Sequence, residues 1–241
     1  MFCNEEINLK LAIIMPTYQR SDGKTPLYLK RSLDSIFAQT FFNFKLFIAG
    51  DCYEDEDELE SVISPYTGDH LYCINLDKAV EREKYINRKD ILWTCGGVYA
   101  NNYMTEIVLE EGFDYICHID HDDYWEPQHL QVISKVIEQT QADWVCTKST
   151  FKDVVIPEDS SNEYAIPYLP KGCHLINSST CFNYRTIPLR YRNVYEETGI
   201  IKPSDADLWD RMSEYIVEHK LLSYLINELS CFHEEEGYLK Q

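Results

Sequence analysis

The sequence predicts a single α/β domain, built on a mostly parallel central sheet flanked by helices. Three observations carry that expectation. Short apolar runs alternate with amphipathic helical segments through the first half of the chain, and a strand–helix–strand order joins parallel neighbours. The runs are apolar at nearly every position, as strands covered on both faces are. No repeat, low-complexity segment or linker divides the 241 residues, a length that one large domain can use.

Residues 9–15, "LKLAIIM", read as the first strand, ended by Pro16. The polar loop "TYQRSDGKT" then leads to Pro26, which suits the first turn of a helix over 26–40 with Leu29, Leu33, Ile36 and Phe37 on one face. A second strand, "FKLFIAG" (44–50), runs into Asp51. The acidic run "EDEDELE" (54–60) reads as a solvated helix start, where carboxylates favour the dipole. A third strand follows at 70–76. Gly96 and Gly97 open a helix over 98–112 that buries Val98, Met104, Ile107 and Val108. Next come a strand at 115–119 and a helix at 127–140, again with proline at its start. Beyond Trp144 the pattern loosens. Residues 144–151 and 178–187 read as strands, 156–172 as a loop, 204–220 as an amphipathic helix, and 221–232 as a last strand region.

Composition excludes several classes of function. The formal charge of −19 argues against nucleic acid and anionic membrane surfaces as partners. Nine scattered cysteines without a CxxC pair suit free thiols in a reducing compartment. The N-terminus lacks the pattern of a signal peptide, and no apolar run approaches the roughly 18 residues of a membrane span. The expected location is cytoplasmic. No P-loop, GxGxxG, HExxH or nucleophile motif is present.

The chemistry concentrates in "YICHIDHDDYWEP", residues 115–127, where Asp120, Asp122 and Asp123 follow a buried-looking run directly. In a parallel α/β sheet ligands bind at the carboxyl ends of the strands. The loop from Thr17 to Arg20, Asp51 and the Asp120–Asp123 cluster all stand at such ends, so distant polar groups converge on one rim. Magnesium and manganese take oxygen ligands, commonly one or two carboxylates plus substrate phosphates. The alternative is a solvated acidic loop. His118 and His121 raise a zinc reading, against which stand the strand position of His118 and the lack of a partner set.

The ordered set "LAIIMPTYQR", "YLKRSLDSIFAQT", "FKLFIAGD", "GGVYANN", "YICHIDHDDYWEP" and "DADLWDRM" resembles the family-2 glycosyltransferases of GT-A fold. The likeness is close at 10–51, 94–130 and 203–212, and loose at 52–93 and 145–202. It implies one GT-A type, Rossmann-like domain over 1–241, with a nucleotide-sugar-binding half (1–125) and an acceptor-binding half (126–241). It implies inverting transfer from a nucleoside-diphosphate sugar, with UDP-sugar favoured, to an acceptor hydroxyl on a glycan, lipid or protein, in glycan or polysaccharide synthesis. Manganese or magnesium is the implied cofactor. By the same resemblance Pro16, Thr17, Tyr18, Arg20, Asp51, Asn101, Asp120 and His121 would bind the nucleotide sugar. Asp120, Asp122 and His233 would hold the metal, and Asp205 would be the catalytic base. Asp205 or Ser204 would equally suit a helix N-cap, and Asp207 and Glu234 are the reserve candidates for the base.

The chain departs from the family pattern in three places. Gly50-Asp51 stands where two adjacent acids are usual, Asn101-Asn102 where arginine often precedes the asparagine, and Ser204 where an acid commonly precedes the base. Arg20, Arg82 and Arg88 are candidates for the missing positive charge. Two other classes compete. A sugar-phosphate nucleotidyltransferase would carry a glycine-rich basic loop after the first strand, and "PTYQRSDGKT" has one glycine. A non-catalytic nucleotide-sugar-binding module would have no need of Asp122 and Asp205.

Overall fold

The strands form where the sequence is apolar without interruption. In the computed structural model, which describes residues 9–66 and 68–233, β1 (Leu11–Thr17) is buried at all but one position, as is β2 (Phe44–Gly50). They pair in parallel from Leu11↔Phe44 to Thr17↔Gly50. Strand β3 (Leu71–Asn75) extends this ladder beyond β2, and β4 (Tyr115–His118) lies on the other side of β1, both in parallel. Pro16 does not end β1 but lies inside it. It has no N–H to give to a ladder, and the pairing with β4 covers only Leu11–Ile14, so nothing on that side requires one.

The second half continues the same sheet. After β5 (Tyr124–Trp125) come β6 (Trp144–Phe151), β7 (Val154–Ile156), β8 (Ala165–Pro167), β9 (Thr180–Asn183) and β10 (Ser223–Phe232). The order is β3-β2-β1-β4-β9-β6-β10-β5, with β7 on β6 and β8 on β10. The long ladders are parallel, and the antiparallel ones span two or three residue pairs each. Strand β9 runs antiparallel to both β4 and β6, which restores β6, and β10 parallel to it, to the direction of β4. The carboxyl ends of β1, β2, β4 and β10 therefore share one rim. Two register shifts in the β10 ladder, at Ile226/Leu229 and Leu229/Cys231, bend the strand as bulges do.

Helices cover both faces. On one side α1 (Thr25–Phe37), α2 (Glu56–Ile63) and α6 (His129–Thr140) pack Leu29, Leu33, Ile36, Leu59 and Ile133 onto Ile13, Met15, Leu46 and Ile48. On the other, α5 (Val98–Glu110) and α8 (Ser204–His219) pack Met104, Val108, Leu208, Trp209 and Met212 with Ile14, Phe47, Trp144 and Phe182. The acidic run starts α2, with the Asp55 side chain accepting the Glu58 N–H as cap.

Some elements differ from the sequence expectation. Helices α3 (Val80–Lys84), α4 (Lys89–Cys95) and α7 (Val194–Thr198) were not expected, and each is too short for a periodic pattern to declare itself. The expected strand at 178–187 shrinks to β9, preceded by a 3-10 turn (Asn177–Ser179). The expected loop at 156–172 contributes β8 to the edge of β10. Among the described residues no helix is long and apolar enough to cross a membrane.

Candidate active site

Helix α1 fixes the loop that carries the carboxylates. The Ser32 hydroxyl donates to the His121 carbonyl at 2.8 Å and also contacts that of Asp123. Arg31 donates to the Asp122 carbonyl, the Ser35 hydroxyl accepts the Trp125 N–H at 3.2 Å, and Gln39 donates to the Glu126 carbonyl at 2.8 Å. With its backbone anchored on α1, the loop presents its carboxyl groups to the rim. Asp120 and Asp122 are partly exposed, whereas Asp123 is fully buried.

Asp123 is held at both oxygens. One accepts from the Ser178 hydroxyl, which also accepts the Asp120 N–H at 2.9 Å. The other accepts from Nδ1 of His233, at the end of β10, at 2.8 Å. A histidine tied down through Nδ1 keeps Nε2 on the far side of the ring, the arrangement common for metal-ligating imidazoles. The His233 ring stacks on Phe151 at 5.7 Å between centroids. Burial alone would lower the His233 pKa, but the Asp123 hydrogen bond and the charges of Asp123, Asp120 and Asp122 outweigh it and lift it to about 9.

The carboxylates repel. Burial, then the charges of Asp123 and Asp122, push the Asp120 carboxyl up to about 8, with Asp205 adding to the rise. Burial also raises Asp205 above the ordinary carboxylate range, against the Ala206 N–H that it accepts at 2.7 Å. His233 acts on Asp205, and both Asp205 and Asp120 act on the buried Tyr191. Asp120, Asp122, Asp205 and His233, from three separate elements, thus share one electrostatic neighbourhood. Asp205 is not the helix cap: Pro203 occupies that position, and Ser204 and Asp205 lie within α8.

The Asp51 side closes the group. Arg82, on α3, donates through Nε to Oδ2 of Asp51 at 2.7 Å and also reaches the Asp51 carbonyl. Oδ1 of Asp51 is buried and has no hydrogen-bond partner among the described residues, an acceptor that folding leaves open at a cost. Tyr18 links this side to the carboxylates, with Arg82 5.7 Å from its ring centroid and the His121 ring edge-on at 5.0 Å. Arg20 is 6% exposed, donates to Asp22 at 2.7 and 3.0 Å, and stands 3.9 Å from Asp122. Of the three arginine candidates, Arg20 and Arg82 reach the site, whereas Arg88 pairs with Asp90 on the surface.

Other expected residues lie deeper. The Thr17 hydroxyl is engaged with that of Tyr53 at 2.6 Å. Asn101 donates to the Gly97 carbonyl at 3.0 Å, behind Pro16, and its buried side-chain oxygen has no hydrogen-bond partner among the described residues. His118 is buried against Phe182, and burial lowers its pKa to about 3, leaving a neutral core histidine. Asp207 is fully engaged by Arg192 and Arg211, which removes it as a reserve base. Glu234 lies outside the described residues. Sequence reasoning placed Asp123 in the acidic cluster without a role of its own, and missed Ser178, Asn177 and Tyr191. The Tyr191 hydroxyl donates to Asn177 at 2.6 Å, and Asn177 reaches Oδ1 of Asp120 at 3.5 Å. Only Asp123 carried a signal, as a third acid in a run where a buried one needs partners.

Among the described residues no three His, Cys, Asp or Glu side chains form a metal-holding group by themselves. A magnesium or manganese ion needs fewer protein ligands when phosphates complete its shell. The crowded carboxyls of Asp120 and Asp122, with the oriented His233, are a donor set that fits such an ion.

No family model matches the chain. It is 32% identical over 241 residues to an uncharacterized glycosyltransferase of Acanthamoeba polyphaga mimivirus, covering 96% of both chains. The chain belongs to the glycosyltransferases. A second relative, the amylovoran biosynthesis glycosyltransferase AmsB of Erwinia amylovora, is 28% identical over 69% of this glycosyltransferase and 48% of AmsB. Among solved structures, S. aureus TarS 1-349 in complex with UDP superposes at a TM-score of 0.65, with 13% identity over 93% of this chain and 60% of that one. The mannosyltransferase PcManGT of Pyrobaculum calidifontis, in complex with GDP-Man and Mn2+, gives 0.56, with 12% identity over 95% and 58%. These likenesses establish the GT-A type fold. Within this glycosyltransferase the departure at Gly50 matches its close packing: a Cβ there would stand 2.9 Å from the Asn75 and Leu59 side chains, so an acid before Asp51 would have to displace both.

Proposed function

We propose that this glycosyltransferase moves a sugar from a UDP-sugar to an acceptor hydroxyl with inversion, in glycan or polysaccharide synthesis. The observation that carries the reading is the meeting of Asp120, Asp122, Asp205 and His233 at the rim that also holds the open Asp51 acceptor. The UDP and UDP-GlcNAc complexes of TarS and the amylovoran biosynthesis in the name of AmsB support it.

In this reading Oδ1 of Asp51 accepts the ring N–H of uracil, while Tyr18, Pro16 and Thr17 line the base and Arg82 fixes the Asp51 carboxylate. Asn101 backs that wall, and His121 and Asp120 approach the ribose. Asp120, Asp122 and His233 would hold manganese or magnesium, which when bound supplies Lewis-acid stabilisation of a departing diphosphate. Arg20, beside Asp122, offsets part of the acidic charge. Asp205 takes the proton of the acceptor hydroxyl as that oxygen attacks the anomeric carbon from the face opposite the diphosphate, and the sugar–diphosphate bond breaks. A carboxyl raised by burial is a stronger base than an exposed aspartate. Residues 1–125 form the donor half and 126–241 the acceptor half.

Thermal shift tests the donor assignment. Ligand bound to the native state adds RT ln(1 + [L]/Kd) of stability. UDP with manganese should raise the melting temperature more than CDP, which lacks the ring N–H, and EDTA should remove most of that rise. Equal shifts with UDP and CDP, or no effect of EDTA, would contradict it.

A further inference from the structure

Helix α8 begins without a side-chain cap, so its first turn is placed by what grips it from outside. Asp207, 4% exposed, accepts two hydrogen bonds from the Arg192 fork, at 2.7 and 2.8 Å, and one from Nε of Arg211 at 2.7 Å. A planar fork on a carboxylate fixes orientation as well as distance. Arg211 also donates to the Arg190 carbonyl at 2.7 Å. The segment 190–192 is thereby fastened to α8 at both ends. Its middle residue is Tyr191, whose backbone is bonded in both directions to the Asn102 side chain, at 2.9 and 3.1 Å. The Tyr191 hydroxyl leads through Asn177 to Asp120. On the same face Lys202 stands 3.7 Å from Asp207 and 2.8 Å from Asp210, the Gly172 N–H donates to Asp210 at 2.9 Å, and a Cβ on Gly172 would stand 2.5 Å from the Ala206 carbonyl oxygen.

We infer that Asp207 is a positioning residue, whose ion cluster with Arg192 and Arg211 sets where Asp205 stands relative to Asp120. A continuous bonded path runs from the helix turn that carries Asp205, through Asp207, Arg192, Tyr191 and Asn177, to the donor-side carboxylate. Among the described residues Asp205 itself has only its own helix backbone as a hydrogen-bond partner, so it follows the turn. A displacement of about 1 Å between reacting groups costs on the order of a hundredfold in rate. The inference rests on the reading of Asp205 as base.

The test is a double-mutant cycle in the full chain with manganese present. Turnover is read as hydrolysis of whichever of UDP-glucose, UDP-galactose or UDP-N-acetylglucosamine the wild type cleaves fastest, and donor-site integrity as UDP binding by calorimetry. Asp207→Asn should bind UDP as the wild type does, keep its KM, and lose about ten- to a hundredfold in kcat well below its melting temperature. In an Asp205→Asn background the same change should cost nothing further, because it acts through the residue already removed. A folded Asp207→Asn variant with wild-type kcat, or a loss that adds in full to that of Asp205→Asn, overturns the proposal. Should Asp207→Asn not fold, Arg192→Lys replaces it in the cycle; it keeps the charge and loses the fork. Asp205→Asn at wild-type turnover would instead sink the base reading. Asp205→Asn without activity beside an unimpaired Asp207→Asn would sink the positioning alone.

Discussion

Asp205 and Asp207 stand two residues apart in the first turn of one helix, and their carboxyl groups sit in opposite environments. Burial works against ionisation in both. Around Asp207 the Arg192 and Arg211 guanidiniums overturn it and hold the carboxyl down to about 2. Around Asp205 no cation forms an ion pair among the described residues, and the carboxyl stays above its usual range. The same residue type therefore does two jobs. A carboxylate saturated by guanidinium forks is an anchor, since its lone pairs are taken. One met only by backbone N–H groups of its own turn keeps the capacity to receive a proton.

The largest effect should come from removing that capacity. Asp205→Asn keeps the side-chain shape and the oxygen that accepts the Ala206 N–H, so the fold and UDP affinity should persist. Turnover should fall by about 10²–10⁴, the usual range for general acid–base assistance. Calorimetry with UDP and product-release rates, on the same preparation, check it. Near-normal turnover would erase the distinction between the two aspartates.

Asp51 is the intermediate case, with one oxygen on Arg82 and the other open. If the open oxygen serves the nucleobase, Asp51→Ala should weaken UDP binding by about ten- to a hundredfold, the roughly 1.5–3 kcal/mol of a hydrogen bond to a charged group. Arg82 should be less needed, since it bonds the oxygen that faces away from that role, and Arg82→Lys should cost less than Asp51→Ala. Titrating UDP into both variants ranks them. An unchanged Kd for Asp51→Ala would make Asp51, like Asp207, an anchor only.

How much of this was legible follows from range along the chain. Strands β1, β2 and β4 are buried on both faces, so their apolar runs declared them, and the rim positions of Tyr18, Asp51, Asp120 and Asp122 followed from where those runs stop. Helix α8 showed its period over sixteen residues. The five to seven residues of α3, α4 and α7 show none, so Arg82 could be named only as a candidate charge. Pairings across the chain were out of reach. His233 meets Asp123 across 110 positions, and Ser178 reads as one more residue of the strand expected over 178–187 until the 3-10 turn before β9 sets it beside Asp120. The different fates of Asp205 and Asp207 depend on Arg192, which lies in the least patterned stretch.

The smallest effect sharpens the comparison through stability. Asp207→Asn removes the negative charge and leaves two guanidiniums and the Lys202 ammonium, whose side chains are 34%, 24% and 32% exposed, so they can return to water. The cost at neutral pH should accordingly be about 1–2 kcal/mol, below that of stranding fully buried charges. Its pH dependence has a definite sign. The folded carboxyl is held near 2, below its ordinary value of 3.8. Its contribution is therefore fully present above about pH 5 and is lost as pH falls through 4 toward 2, because the unfolded chain takes up the proton first. Urea midpoints for wild type and Asp207→Asn should differ at pH 7 and converge toward pH 2.5. Asp205→Asn should behave in the opposite sense: with a raised folded-state carboxyl, the wild-type charge costs stability at neutral pH, so this variant should be as stable as wild type or slightly more so. Midpoints that shift alike for the two variants would mean that the guanidinium forks do not separate their roles.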